Sequence, residues 1–303
     1  MKLQFDHVSK KFNDSEVPAI NDVDLTLQPG VHLFFGKNGS GKSTLFRMLA
    51  TVLTPTSGAI FADDLNLAEN GAQFRARLGY LPQETQLHPQ MKMREFLDYM
   101  ARLKGISDPR RRRDEIDRVL RLTELTDDSG KKLGKFPGEL LRRVGLAQAF
   151  LGDPDCVIID GSTGNPDPAA HSYLFHLLAA FIGASDRPKT ILVSTNSIED
   201  SENQHDNLVL MDAGKLLYSG SADALVRQID GKVWESSVES ADPDDARPLL
   251  EKLTQNAVLS NVRYLSDEVG IRYIADTALL PNSTNVPANL DDAYTWKAGG
   301  VSI

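Results

Sequence analysis

Apolar and polar residues alternate over residues 3–8 and 23–27, the period-two pattern of half-buried strands. Pro29-Gly30 marks a turn, and residues 31–35 form an unbroken apolar run that leads into a glycine-rich segment. The spacing then predicts a helix over 43–53, ended by Thr54-Pro55. Apolar residues recur at helical intervals over 93–104 and again over 109–122, as Ile116, Val119 and Leu120 do. Asp108 suits the N-cap of the second of these helices, and Pro109 its first turn. After Pro137 comes a helix through Ala147, then a buried strand at 156–159, a helix over 168–182 and a strand over 190–193. Residues 208–211 and 215–218 flank Ala213-Gly214 as a hairpin.

Strands alternating with helices of this length predict an α/β fold whose mainly parallel sheet is covered on both faces. The character changes near residue 231, where a strand (233–238), a helix (246–253) and two strands (261–265, 269–274) predict a small α+β appendage. The expected division is therefore 1–230 and 231–303, the latter ending in a tail rich in Pro, Asn and Gly.

Composition narrows the function. A net charge of −9 argues against a general nucleic-acid binder, which needs a basic face. The run Arg110 to Arg113 is followed at once by Asp114, Glu115 and Asp117, and reads as a solvated helix face, with a membrane-proximal or partner contact as the alternative. The single cysteine, Cys156, lies inside an apolar run, so a reducing compartment is expected. Cysteine and histidines show no metal-ligand spacing, so the only metal expected is one carried by a nucleotide. Residues 1–6 lack the apolar core of a signal peptide, and the apolar stretch 173–184 falls short of the ~20 residues that span a bilayer. The chain reads as soluble, with any membrane role supplied by a partner.

The glycine-rich segment carries the chemistry. Gly36, Lys37, Asn38, Gly39, Ser40, Gly41, Lys42, Ser43 and Thr44 contain the pattern G-x-x-x-x-G-K-[ST] between a predicted strand and a predicted helix. Glycines at 36, 39 and 41 let successive N–H groups turn inward as a nest for phosphate oxygens, and the following helix adds its positive end. Lys42 would reach the β- and γ-phosphates, and Ser43 offers a hydroxyl to Mg²⁺. Asp160 ends the buried strand and so emerges at the carboxyl edge of the sheet, where it can hold Mg²⁺ through water. The bland alternative is that it merely caps a helix.

These residues, with Thr54-Pro-Thr-Ser-Gly58, Tyr80-Leu-Pro-Gln83, Gly145-Leu-Ala-Gln-Ala149 and Gly152-Asp-Pro154, resemble the ATP-binding subunits of ABC transporters over Lys2 to about Ile229. The appendage, with Leu290-Asp-Asp-Ala-Tyr294, looks like the ABC-2-type export subfamily. The resemblance implies a P-loop NTPase core with an antiparallel β subdomain and a helical subdomain at about 84–152. It implies ATP and Mg²⁺ as ligands, and head-to-tail dimers that sandwich each ATP between the phosphate loop of one subunit and the signature loop of the other. It further implies a membrane permease as partner, and hence a peripheral place on the inner face of the cell membrane. Phe12 would stack on adenine, although taken alone it reads first as a core residue; Gln83 would join Ser43 and Asp160 at Mg²⁺; Asp167 would cross the dimer interface.

Four positions depart from the family pattern. The catalytic Glu that follows the magnesium-site Asp is Gly161, and the switch His is Asn196. His205 lies too far along to replace it. The signature Leu-Ser-Gly-Gly reads Phe136, Pro137, Gly138, Glu139. Pro137 brings neither hydroxyl nor N–H, and Glu139 brings a carboxylate towards phosphate unless Arg142 or Arg143, one helical turn on, diverts it. The expectation is a subunit that holds ATP and hydrolyses it weakly or not at all, in a homo- or heterodimer, the heterodimer favoured. The alternatives are an active ATPase that borrows a base such as Asp200, or a regulatory module without a permease.

Overall fold

A computed structural model describes residues 1–84, 87–161, 168–196, 206–239, 243–265 and 268–300, the side chains at 168–171 and 243–245 excepted. The chain opens with β1 (Leu3–Lys10), β2 (Ile20–Leu27) and β3 (Gly30–Phe35), followed by α1 (Lys42–Leu49), β4 (Ser57–Ala62), β5 (Leu65–Asn66), α2 (Leu67–Ala76) and β6 (Leu78–Leu81). Three helices come next, α3 (Met93–Leu103), α4 (Pro109–Leu122) and α5 (Gly138–Ala149). Then follow β7 (Cys156–Ile159), α6 (Pro168–Gly183), β8 (Thr190–Thr195), β9 (Asn207–Asp212) and β10 (Lys215–Gly220). The remainder comprises α7 (Ala222–Val226), β11 (Val233–Glu239), α8 (Pro243–Leu253), β12 (Val258–Tyr264), β13 (Glu268–Ile274), β14 (Thr284–Asn285) and α9 (Leu290–Ala298).

Two compact units divide the chain, Met1–Leu216 and Leu217–Ile303. In the first, β3 pairs in parallel with β8 and β9, and β7 in parallel with β8 and β6. All four residues of β7 and all six of β8 are buried, as strands covered on both faces must be. A smaller antiparallel sheet, in the order β2-β1-β4-β5, stands beside this one. Its inward residues Leu3, Phe5 and Ile20 share one core with Phe34 and Phe46, whose rings meet edge to face at 4.9 Å. The mainly parallel core, antiparallel sheet and helical insertion are the architecture that the sequence predicts.

Several details differ from the sequence reading. α1 ends at Leu49, short of residue 53, because Thr51 turns left-handed (φ 59°) and the N–H groups of Val52 and Leu53 both donate to the Arg47 carbonyl. That turn returns Leu53 to the core. β4 escapes notice because it opens on Ser57-Gly58 and takes its regularity from pairing with β1. The terminal stretch contains α9, whose Asn289 and Asp292 form a reciprocal capping box and whose Gly299 (φ 87°) stops it.

In the second unit, Leu250, Leu259, Ile271 and Tyr273 form a separate core. Asp292 is 1% exposed there and accepts from Arg272 at 2.7 and 2.8 Å and from Ser260 at 2.5 Å. Burial pushes its carboxyl up, but Arg272, Ser260 and the Asn289 N–H outweigh this and hold it below the usual range. Asp292→Ala leaves the Arg272 guanidinium with only the exposed Glu235 carboxylate and the Pro287 carbonyl as partners among the described residues. The expected cost is about 3 kcal/mol, the lower end for breaking a buried pair. Both tryptophans, Trp234 and Trp296, lie in this unit, so fluorescence-monitored urea unfolding measures it; an unchanged midpoint would show the pair to be idle.

Candidate functional site

Parallel register brings four strand ends together. Phe35 pairs with Thr195, Ile159 with Val193 and Leu81 with Ile159, so β3, β8, β7 and β6 finish at one edge. Gly36 follows β3, Asp160 follows β7, Asn196 follows β8, and Gln83 comes two residues after β6. A cleft of about 720 Å³ opens there, lined by residues 38 to 44, Gln83, Asp160, Gly161 and Asn196, together with Ala19, Arg142, Ser194 and Thr195. Crevices outside the carboxyl ends of parallel strands are where such sheets bind ligands.

The loop between β3 and α1 has the conformation of an anion cradle. Gly39 and Gly41 take positive φ (82° and 103°), and Gly41 is the N-cap of α1. The first N–H groups of α1 therefore face the cleft without intrahelical partners. Lys42 spans the loop, its Nζ donating to the carbonyl oxygens of Gly36 and Lys37 and to Ser40 Oγ. Burial pushes the Lys42 ammonium down to about 8, against the opposing pull of Asp160.

Asp160 is buried and oriented by two hydroxyls. Ser43 Oγ donates to Asp160 Oδ1 at 2.9 Å, and Ser194 Oγ donates to the same oxygen at 3.0 Å. Ser194 also accepts from the Gly161 N–H at 2.6 Å, which fixes the backbone just after the carboxylate. Ser43, Asp160 and Gln83 together present hydroxyl, carboxylate and amide oxygens to one cleft. An all-oxygen donor set of this kind fits Mg²⁺.

Gly161 takes a left-handed backbone (φ 71°), and a Cβ there would stand 3.1 Å from Gln83 Cγ. Its carbonyl accepts a hydrogen bond from the Arg142 guanidinium. Asn196 is exposed, with Nδ2 3.5 Å from Asn38 Oδ1 across the cleft.

Other sequence candidates lie outside the cleft lining. Gly36 and Lys37 belong to the loop but serve through their carbonyls. Phe12 is 40% exposed, with Lys10 Nζ 5.5 Å from its ring centroid, which excludes the core reading. Phe136, Pro137, Gly138 and Glu139 do not face this cleft; Pro137 is the N-cap of α5, and Glu139 pairs with Arg143 at 2.9 Å. Asp167, with His205 and Asp200, lies outside the described residues.

Four lining residues went unrecognised in the sequence, Ala19, Arg142, Ser194 and Thr195. Ser194 carries no signal beyond its place at a strand end. Arg142 stood there only as a possible partner of Glu139; the salt bridge goes to Arg143, four residues on, and Arg142 turns into the cleft.

Comparison with known proteins bears on family and fold. A sequence model described as ABC transporter matches residues 20–164. The Nod factor export ATP-binding protein I of Cupriavidus metallidurans is 29% identical, over 98% of this chain and 97% of its own length. The ABC transporter ATP-binding protein NatA of Bacillus subtilis is 31% identical, over 72% of this chain and 88% of its own. Among solved structures, a dimeric bacterial ABC transporter cassette superposes with a TM-score of 0.64 at 22% identity, over 72% of this chain and 98% of that one.

Proposed function

This chain belongs to the ATP-binding proteins of the ABC transporter family, and from that premise we propose that it is the nucleotide-binding subunit of an exporter that closes around MgATP and hydrolyses it slowly. One observation carries the reading. Ser43 is hydrogen-bonded to Asp160 and both line one cleft with Lys42, yet the position beside Asp160 is a glycine whose carbonyl accepts from an arginine. No carboxylate other than Asp160 lines the cleft among the described residues, so nothing there can take a proton from an attacking water except the metal-site group itself.

The residues divide the work of binding. Backbone N–H groups of the loop and the start of α1 receive phosphate oxygens, and Lys42 exchanges its loop carbonyls for phosphate. Ser43, Asp160 and Gln83 would hold Mg²⁺, which when bound neutralises charge between the β- and γ-phosphates. Phe12 offers an exposed ring for adenine. The signature segment would meet the nucleotide of a second subunit, where Pro137 offers no hydroxyl and Glu139 is held by Arg143. Such a subunit works best with a partner that supplies the missing base, hence a heterodimer. It would be joined to a membrane permease, with residues 1–230 as the ATP-binding part and 231–303 as the accessory part. No described helix is long and apolar enough to cross a membrane. Purification from membranes in MgATP should bring down a permease and a second ATP-binding subunit; recovery of this chain alone, in nucleotide and in its absence, would refute the assignment.

Lys42 makes binding depend on pH. With the free ammonium at about 8, the protonated form predominates below that pH and ATP affinity stays flat. Above it the free protein loses the proton, whereas phosphates in the cleft would keep it. Affinity then falls as pH rises, by about tenfold per pH unit at most. Calorimetry in two buffers of different ionisation enthalpy should record proton uptake on binding near pH 9, and its absence would place the Lys42 pKa elsewhere.

A further inference from the structure

We infer that Arg142 is a second cationic contact for the terminal phosphate of the nucleotide held by its own chain, and that it replaces catalytic stimulation at this position with retention of the triphosphate. The inference rests on the reading that the cleft takes ATP. It adds a specificity residue and a reason for the altered chemistry.

Among the described residues that line the cleft, Lys42 and Arg142 are the cations and Asp160 is the carboxylate. Arg142 arrives from α5, on the side of Gly161, whereas Lys42 opens α1 directly after the glycine-rich loop. Its guanidinium donates one hydrogen bond to the Gly161 carbonyl, and among the described residues no carboxylate pairs with it. The adjacent Arg143 has a carboxylate partner by contrast, Glu139 at 2.9 Å, and lies over the Tyr173 ring at 3.9 Å. Arg142 is also partly desolvated, and burial alone pulls its pKa below the ordinary arginine value. A guanidinium stays charged under these conditions and keeps several N–H donors in a fixed fork. Partly removed from bulk water and without a counter-ion among the described residues, it is suited to phosphate oxygens, which it can grip in a bidentate way.

Its place explains the direction of the effect. Gly161 stands where the family resemblance puts a base, and Arg142 is bonded to that residue's carbonyl. The charge at this point is therefore inverted. A cation there stabilises the oxygens of a bound terminal phosphate but accepts no proton from water. Such a site separates ATP from ADP by the one phosphate that the second cation reaches.

Titration of the full chain with ATP and with ADP, both in Mg²⁺, tests this. The protein should bind ATP more tightly than ADP. Arg142→Gln should weaken ATP by about 10- to 100-fold, the factor that one or two charge-assisted hydrogen bonds supply, while ADP changes by less than about threefold. Arg142→Lys should recover part of the difference. Equal loss for both nucleotides would mean that Arg142 only supports the fold, and no loss for either would make it a bystander; each result overturns the inference. A second measurement needs no variant. Phenylglyoxal modification of the native chain, read at residue 142 by peptide mass spectrometry, should be blocked by ATP and not by ADP, and protection by both or by neither would refute it. If the native chain bound neither nucleotide, the ATP-binding reading itself would fall, an outcome distinct from a lost preference.

Discussion

Purified protein supplied with MgATP should hydrolyse it about 10²- to 10⁴-fold more slowly than a relative carrying Glu after the magnesium-site Asp, while still binding the nucleotide. The range is the usual contribution of a positioned base, and corresponds to a barrier higher by about 3–5 kcal/mol. The physical ground is the inventory of the cleft: Asp160 is its only carboxylate among the described residues, and that group accepts two hydroxyl donors already. Restoring the acid is not expected to restore the rate. Gly161→Glu places a side chain where φ is 71°, at a cost of about 1–2 kcal/mol, and its Cβ would stand 3.1 Å from Gln83 Cγ. The new carboxylate would also find the Arg142 guanidinium within its own neighbourhood. Steady-state phosphate release, with Lys42→Ala as the control for contaminating activity, decides the matter. Turnover equal to that of an intact relative, abolished in the control, would sink the claim of impaired hydrolysis.

The other large effect concerns binding. Gly36→Ala should abolish measurable ATP binding and lower the thermal midpoint, whereas Gly39→Ala should do much less. A Cβ at position 36 would lie 2.3 Å from the Met211 carbonyl oxygen and 2.6 Å from Ser40 Oγ. The first neighbour is backbone of β9, which pairs in parallel with β3 up to Phe35 and Leu210, so it cannot withdraw without opening the central sheet. The loop must yield instead, and Lys42, which is bonded to the Gly36 carbonyl, moves with it. At Gly39 a Cβ meets nothing within 4 Å, so only the left-handed backbone (φ 82°) resists, by about 1–2 kcal/mol. Differential scanning calorimetry and nucleotide titration of the two variants measure both quantities. Equal behaviour of the pair would show that local backbone strain, and not the collision with β9, dominates at this loop.

Much of this was legible along the chain. The alternation of buried strands and helices follows from apolar period alone, and so α4 and β7 appear where the residues predict them, at Pro109–Leu122 and Cys156–Ile159. The glycine-rich loop is local chemistry: its glycines, Lys42 and Ser43 all lie within residues 36–43, and a backbone conformation suited to an anion belongs to that short segment. Local signals overlooked, such as the Asn289 and Asp292 box that starts α9, were present all the same. β4 was not legible in this sense, because its strand character comes from β1 and not from its own residues.

The arrangement of charge in the cleft belongs to the other class. Glu139 had two arginines within helical reach, and spacing does not choose between them. Packing against Tyr173 holds Arg143 for Glu139, and that leaves Arg142 for the Gly161 carbonyl. Ser194 likewise acquires its hold on Asp160 only when β7 and β8 pair in register. Residue order therefore set the glycine-rich loop and the side-chain gap at Gly161, since both are written in contiguous segments. Which cation faces that gap was decided by long-range packing, because a guanidinium's partner depends on the elements folded around it and not on its neighbours in the chain.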